Sequence, residues 1–173
     1  MKDLEPLPVS DKISGAPHPS EATTIFGQDS AQQQFLNAFD RGRLHHAWLL
    51  SGPRGVGKAT LVWKIAKFLL TTPNAPAQDG LFGAMSQHVS NLETPPDHPA
   101  LPRILAGSEP ALCVIRRSYD EKRKRFKQNI TVDDVRSLKS FFGLSAADGG
   151  ARVVIIDAAD DMTGSAANAL LKM

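Results

Sequence analysis

No other part of this chain constrains its fold as tightly as Leu49-Leu50-Ser51-Gly52-Pro53-Arg54-Gly55-Val56-Gly57-Lys58-Ala59-Thr60. Gly52, Gly55 and Gly57 let the backbone turn sharply, and two different periodicities bracket the turn. Before it, Ala47-Trp48-Leu49-Leu50 is a short apolar run that reads as a buried strand. After it, Leu61, Val62, Ile65, Ala66, Leu69 and Leu70 recur at helical spacing, so a helix leaves the loop. A strand, a glycine turn and a helix in that order belong to α/β folds.

Gly52, four residues and then Gly57-Lys58 is the spacing at which successive backbone N–H groups wrap a phosphate chain, with the lysine as a point charge. The helix N-terminus adds aligned amide dipoles at the same place. Gly52, Arg54, Gly55, Val56, Gly57, Lys58, Ala59 and Thr60 are therefore the candidate nucleotide-binding residues. The plainer reading is a glycine turn that binds nothing, and the strand and helix on its two flanks argue against it. In the complete pattern a Ser or Thr follows the lysine directly and ligates magnesium. Here Ala59 stands in that position, and the hydroxyl comes one residue late at Thr60.

The alternation continues downstream. Ala111-Leu112-Cys113-Val114-Ile115 and Arg152-Val153-Val154-Ile155-Ile156-Asp157 read as two more buried strands. One helix, capped by Asp29 or Ser30, has the apolar face Ala31, Phe35, Ala38 and Phe39 and ends at Gly42. Another opens at Thr131-Val132-Asp133-Asp134, carries the stripe Val132, Val135, Leu138, Phe141 and Phe142, and stops at Gly143. Apolar strands alternating with amphipathic helices predict a parallel sheet flanked by helices on both faces.

At 173 residues, with 42% hydrophobic content, the chain fits one globular domain. Its net charge of +2 neither demands nor excludes nucleic acid. Cys113 is the one cysteine, which rules out an internal disulfide and a four-cysteine zinc site. With no apolar run of about 18 residues and no signal-peptide layout, a cytoplasmic protein without a membrane partner is the expectation. Residues 1–22, with Pro6, Pro8, Pro17 and Pro19, read as a flexible or loosely draped N-terminal arm before a globular part spanning 23–173. A proline-rich insertion around 73–110 forbids a long regular element, leaving Leu81, Phe82 and Met85 as a short helical turn.

Asp157 joins the nucleotide-site candidates. A carboxylate at the C-terminal tip of a buried strand lies beside the phosphate loop in such folds and helps to hold the magnesium shell. Taken alone it reads equally well as an ordinary strand end. Hydrolysing sites of this kind commonly carry a glutamate next, to orient the attacking water, and here Ala158 follows instead. Asp160 and Asp161 read as turn residues before a helix capped by Thr163, so no catalytic residue is assigned. Losing a metal hydroxyl and a water-positioning carboxylate would each cost roughly 3 kcal/mol of transition-state stabilisation, about a hundredfold in rate. Binding through backbone amides and Lys58 would survive.

Phe26-Gly27-Gln28 and the run from Gly42 through Lys58 resemble the opening of bacterial clamp-loader subunits of DNA polymerase III. Ile130 through Arg136, Asp157 through Thr163 and Asn168-Ala169-Leu170-Leu171-Lys172 are similar to later parts of the same family. The resemblance implies an AAA+ P-loop nucleotide-binding domain that holds ATP or ADP with magnesium, and an adenine pocket near Ile25, Phe26 and His46. It implies partners in the motor gamma/tau and delta subunits, and in the sliding clamp and primer-template DNA through the complex. Ala59 and Ala158 favour the delta-prime type, which commonly lacks a competent hydrolysis site; the alternative is an active ATPase motor. Many relatives bind zinc through four cysteines after the loop helix. This chain has only His88 and His98 near that stretch, so zinc is not expected.

The family's next strand, arginine finger, lid and collar would all follow Met173, so the chain reads as a C-terminally truncated, partial domain. Without that strand, which would lie between 47–51 and 152–157, unpaired edges and marginal stability are expected. One dense basic patch remains, formed by Arg116, Arg117, Lys122, Arg123, Lys124, Arg125 and Lys127 around Asp120 and Glu121. It reads as an exposed hairpin or loop, either in contact with DNA phosphates or simply solvated. With only Tyr119 and Phe126 as interleaved aromatics, the solvated reading is favoured.

Overall fold

A strand persists only where its edges find hydrogen-bonding partners, and two of the three apolar runs find them in each other. The computed structural model describes residues 8–72, 89–143 and 150–173. In chain order it contains helices α1 (Asp29–Asp40), α2 (Lys58–Thr71) and α3 (Ala100–Leu105), followed by strands β1 (Leu112–Arg116), β2 (Tyr119–Asp120) and β3 (Arg125–Phe126). Helix α4 (Val132–Gly143), strand β4 (Val153–Asp157), a single 3-10 turn at Ala159–Asp161 and helix α5 (Gly164–Leu170) complete it.

β1 and β4 pair in parallel, from Leu112 opposite Val153 to Arg116 opposite Asp157. Successive side chains leave a strand on opposite faces. Leu112, Val114, Val153 and Ile155 pack on Trp63 and Ala66 of α2 and on Ala100 and Ile104 of α3. Cys113, Ile115, Val154 and Ile156 pack on Val135 and Leu138 of α4 and on Ala166 of α5. With both faces covered, the two strands have no polar side, which is why they read as unbroken apolar runs. The protein is mixed α/β, with a small parallel sheet between helices.

α2 is apolar on two sides because it is sandwiched. Leu61, Ile65, Phe68 and Leu69 face α1, where Phe35, Leu36 and Phe39 meet them, while Trp63 and Ala66 face the sheet. Trp63 and Phe68, outside the stripe expected from spacing, are therefore buried. Thr163 caps α5 as expected, its hydroxyl accepting from the Ala166 amide at 3.2 Å. At the start of α4, Asp134 accepts from both the amide and the hydroxyl of Thr131, at 2.8 and 2.6 Å.

Three local expectations change. Ala47–Leu50 forms no strand: it has no ladder partner among the described residues, and Leu49 is 81% exposed. Apolar content made it look like a strand, but pairing decides whether one forms. The cap position of α1 is Gln28, not Asp29 or Ser30, and its side chain does not cap. Phe142 lies half-exposed outside the α4 stripe, whose buried positions are Val135 and Leu138. Residues 1–7, His88 and the turn expected at Leu81, Phe82 and Met85 lie outside the described residues.

Candidate functional site

Glycine is needed in the loop for a geometric reason. Gly55 and Gly57 have φ of 87° and 90°, a region that side-chain-bearing residues adopt only under strain. The second of these reverses the chain into α2, which begins at Lys58. Leu61 is the first residue of α2 to donate back along the helix, to the Gly57 carbonyl at 2.9 Å. The amides of Lys58, Ala59 and Thr60 therefore precede the helical ladder, at the positive end of the helix dipole. Ser51 to Val56 lie exposed beside them.

Lys58 folds back over its own loop. Its ammonium donates to the carbonyls of Gly52 and Pro53, at 2.8 and 2.7 Å. A phosphate entering the loop would replace these two carbonyls as the acceptor. Gln28, the residue at the α1 cap position, donates through Nε2 to the Val56 carbonyl at 2.7 Å. That contact explains the missing side-chain cap on α1: the amide is used to tie α1 to the glycine loop. Spacing alone gave no sign of it, because the two residues are far apart in sequence.

The three residues expected near an adenine pocket differ in exposure. Ile25 packs into the core beside Phe35 and Leu61, whereas Phe26 is 83% exposed and His46 is exposed. His45, not His46, reaches the Trp48 ring, at 6.2 Å between centroids, and Trp48 in turn lies 5.4 Å from Phe35. Phe26, Trp48, Leu49 and Val56 are large apolar side chains left exposed on segments bordering the loop.

Asp157 ends β4 in a charged setting that the sequence did not reveal. Residues 8–22, part of the 1–22 segment expected to be flexible or loosely draped, carry Asp11 to Arg116, Asp157's neighbour across the sheet. Both Asp11 carboxylate oxygens accept from Arg116 Nη1 at 2.7 Å, and His18 Nε2 lies 3.0 Å from Asp11 Oδ2. His18 also stands edge-on to Trp63 at 5.5 Å, and Lys67 donates to the carbonyls of Ser20 and Ala22. Burial would raise the Asp11 carboxyl, but Arg116 and His18 outweigh it and hold the group below the usual aspartate range. Asp157 moves the other way: burial raises it, repulsion from Asp11 and Asp161 adds to this, and Arg116 and His18 only partly oppose. No hydrogen bond or ion pair joins Asp157 to residues 52–60 among the described residues.

The donor set suits a polyphosphate: exposed loop backbone, three first-turn amides and one ammonium. For magnesium it offers the carboxylate of Asp157 and the displaced hydroxyl of Thr60, with Ala59 contributing nothing. Residues 52–60 would hold the phosphates, and Asp157 the metal's water shell.

A small parallel sheet covered on both faces, with a glycine loop opening one of the covering helices, makes the protein a mixed α/β fold. Within that class, residues 27–173 match the family described as DNA polymerase III, delta subunit, and the chain belongs to that family. It is 35% identical over 132 residues to DNA polymerase III subunit delta' of Pseudomonas aeruginosa, covering 76% of this chain and 34% of that protein. It is 28% identical over 155 residues to subunit gamma/tau of Mycobacterium bovis, covering 90% of this chain and 23% of that protein. Over 51 residues it is 49% identical to subunit gamma of Buchnera aphidicola, 30% of this chain and 14% of that protein. The chain thus spans about a third or less of the length of these relatives.

Proposed function

We propose that this chain is the nucleotide-site region of a delta-prime-type clamp-loader subunit, an AAA+ P-loop domain that holds ATP or ADP with magnesium and does not hydrolyse it. In this reading it works in the cytoplasm with gamma/tau and delta subunits, and through the complex helps to load the sliding clamp onto primed DNA. The observation that supports the reading is a glycine loop that opens a helix at Lys58, combined with Ala59 and Ala158 where hydrolysis needs a hydroxyl and a carboxylate. Transferring phosphate to water depends on positioning and charge stabilisation, so both losses fall more on turnover than on binding.

Calorimetric titration with ATP and magnesium, alongside a phosphate-release assay on the same preparation, tests this. Saturable binding that Lys58→Ala weakens, without phosphate release, is the expected result. The rival is an active motor in which Thr60 and Asp160 replace the missing groups. Steady phosphate release that disappears in Lys58→Ala would establish the motor and remove our reading.

A further inference from the structure

The basic segment is a formed hairpin. β2 and β3 pair antiparallel, Tyr119 opposite Phe126 and Asp120 opposite Arg125, and their two rings meet edge to face at 5.3 Å. The Lys127 amide donates to the Ser118 carbonyl at 2.9 Å, and Arg117 pairs with Asp161 at 3.1 Å, anchoring the base of the hairpin to the turn after β4. Beyond that anchor the charge is unbalanced. Residues 118–128 contain five cations and two carboxylates, while the whole chain carries only +2, so the rest of the chain is net negative. Positive charge is concentrated on one projection.

Its carboxylates do little to neutralise it. Asp120 turns inward to accept from the amides of Lys122 and Arg123, both at 3.1 Å, and stands 3.8 Å from the Arg123 side chain. Glu121 is exposed and has no ion pair among the described residues. Lys122, Lys124, Arg125 and Lys127 are likewise exposed and without ion pairs among the described residues. Asp120, Arg123, Arg125, Phe126, Lys127 and Gln128 line an open concavity of about 440 Å3. Three cations, one carboxylate, an amide and an aromatic ring line the recess, a net positive set that suits a phosphodiester with its sugar and base. The turn supplies a separate sign. Lys124 sits at a φ of 50°, where glycine would be free of strain and lysine costs about 1 kcal/mol. A strained position that keeps a cation points to a use for that cation.

We propose that the β2–β3 hairpin is a direct contact of this chain with the phosphodiester backbone of a nucleic acid. The contact needs no nucleotide in the glycine loop, so its success or failure is separable from the ATP reading. The cations bind backbone phosphates by releasing condensed counterions, and the recess beside Phe126 takes an unstacked base when the strand is single. Because the groups that recognise it are cations, the contact is independent of sequence and steeply dependent on salt.

Fluorescence anisotropy of a labelled single strand and of the matching duplex, titrated with the chain in rising potassium chloride, tests the proposal. Combining Lys122→Gln, Lys124→Gln, Arg125→Gln and Lys127→Gln should weaken binding tenfold or more. It should also flatten the log–log salt slope by about 3 on the single strand and by 3 to 4 on the duplex. The comparison variant removes as many exposed cations elsewhere, through Arg41→Gln, Arg43→Gln, Lys139→Gln and Lys172→Gln, and should bind nearly as well as the parent. Lys124→Gly separates recognition from structure: relief of the positive φ should raise the melting temperature while DNA affinity falls. An unchanged affinity and slope in the hairpin variant, or an equal loss in the comparison variant, would overturn the proposal. So would poly-glutamate binding the hairpin as tightly as DNA of the same charge, which would assign it to an acidic protein. A loss confined to the single strand, or shared by both, supports the contact and identifies the strand form it takes.

Discussion

Replacing Arg116 by alanine should destabilise the protein more than replacing its partner Asp11, and the reason is an asymmetry in burial. Asp11's side chain is 4% exposed and Arg116's is 28% exposed, with two contacts of 2.7 Å between them. Arg116→Ala leaves a buried carboxylate with only His18 nearby, and stranding a buried charge typically costs about 3–5 kcal/mol. Asp11→Ala leaves a guanidinium that still reaches water and has Asp157 as its neighbour across the sheet, so about 2 kcal/mol is expected. For a chain of this size each kcal/mol is about 2–4 °C, giving a fall of about 4–8 °C for Asp11→Ala and about 6–20 °C for Arg116→Ala. The double variant should melt above Arg116→Ala alone, because the stranded carboxylate is gone. The pH dependence follows from Asp11's lowered carboxyl. Its stabilising share is complete above the ordinary aspartate value of about 3.9 and is lost as pH falls through the folded-state value below it. The gap between parent and Asp11→Ala should therefore narrow in strong acid. Thermal melts followed by circular dichroism at neutral and acid pH measure all four proteins. Equal losses from the two single variants, or strictly additive losses in the double, would refute the reasoning.

Asp157→Asn should stabilise the fold at neutral pH. A carboxyl whose folded-state value is raised burdens the native state only while ionised, so the advantage should disappear as pH falls through that raised value towards 3.9; a melt series across this range checks it. Gly57→Ala meets no atom within 4 Å, so its penalty is purely conformational, about 1–2 kcal/mol from the φ of 90°, and denaturant titration should read it. Gln28→Ala removes the 2.7 Å tether to Val56 without touching the phosphate cradle itself. Titration should show ATP affinity falling severalfold, the effect of about 1 kcal/mol of lost loop order, and an unchanged affinity would mean the tether plays no part in binding.

Much of the fold was legible because it rests on short-range pattern. The paired strands were visible as Leu112–Ile115 and Val153–Ile156, since strands buried on both faces must be apolar throughout. α4 and the cap at Thr163 were visible because helical spacing and capping chemistry are local. The run at 47–50 looked the same as the other two, yet it has no ladder, because hydrogen-bond partners are not written in a strand's own residues. The glycine loop was legible from the spacing of Gly52, Gly57 and Lys58. What surrounds it was not: the Gln28 tether joins residues 28 apart, and the Asp11–Arg116 pair joins residues 105 apart.

From residue type and spacing alone the sequence determined that a glycine turn meets a helix at Lys58, that Ala59 and Ala158 interrupt the hydrolytic pattern, and that cations crowd 116–127. These are properties of neighbouring residues, and neighbours are fixed by the covalent chain. Only the tertiary structure decided that Asp157 sits among Asp11, Asp161, Arg116 and His18, that Lys58 donates to the carbonyls of its own loop, and that Arg125 and Lys127 stand without ion pairs, among the described residues, beside a recess. Charge state and accessibility depend on distance and burial, and both arise only when segments remote in sequence pack together.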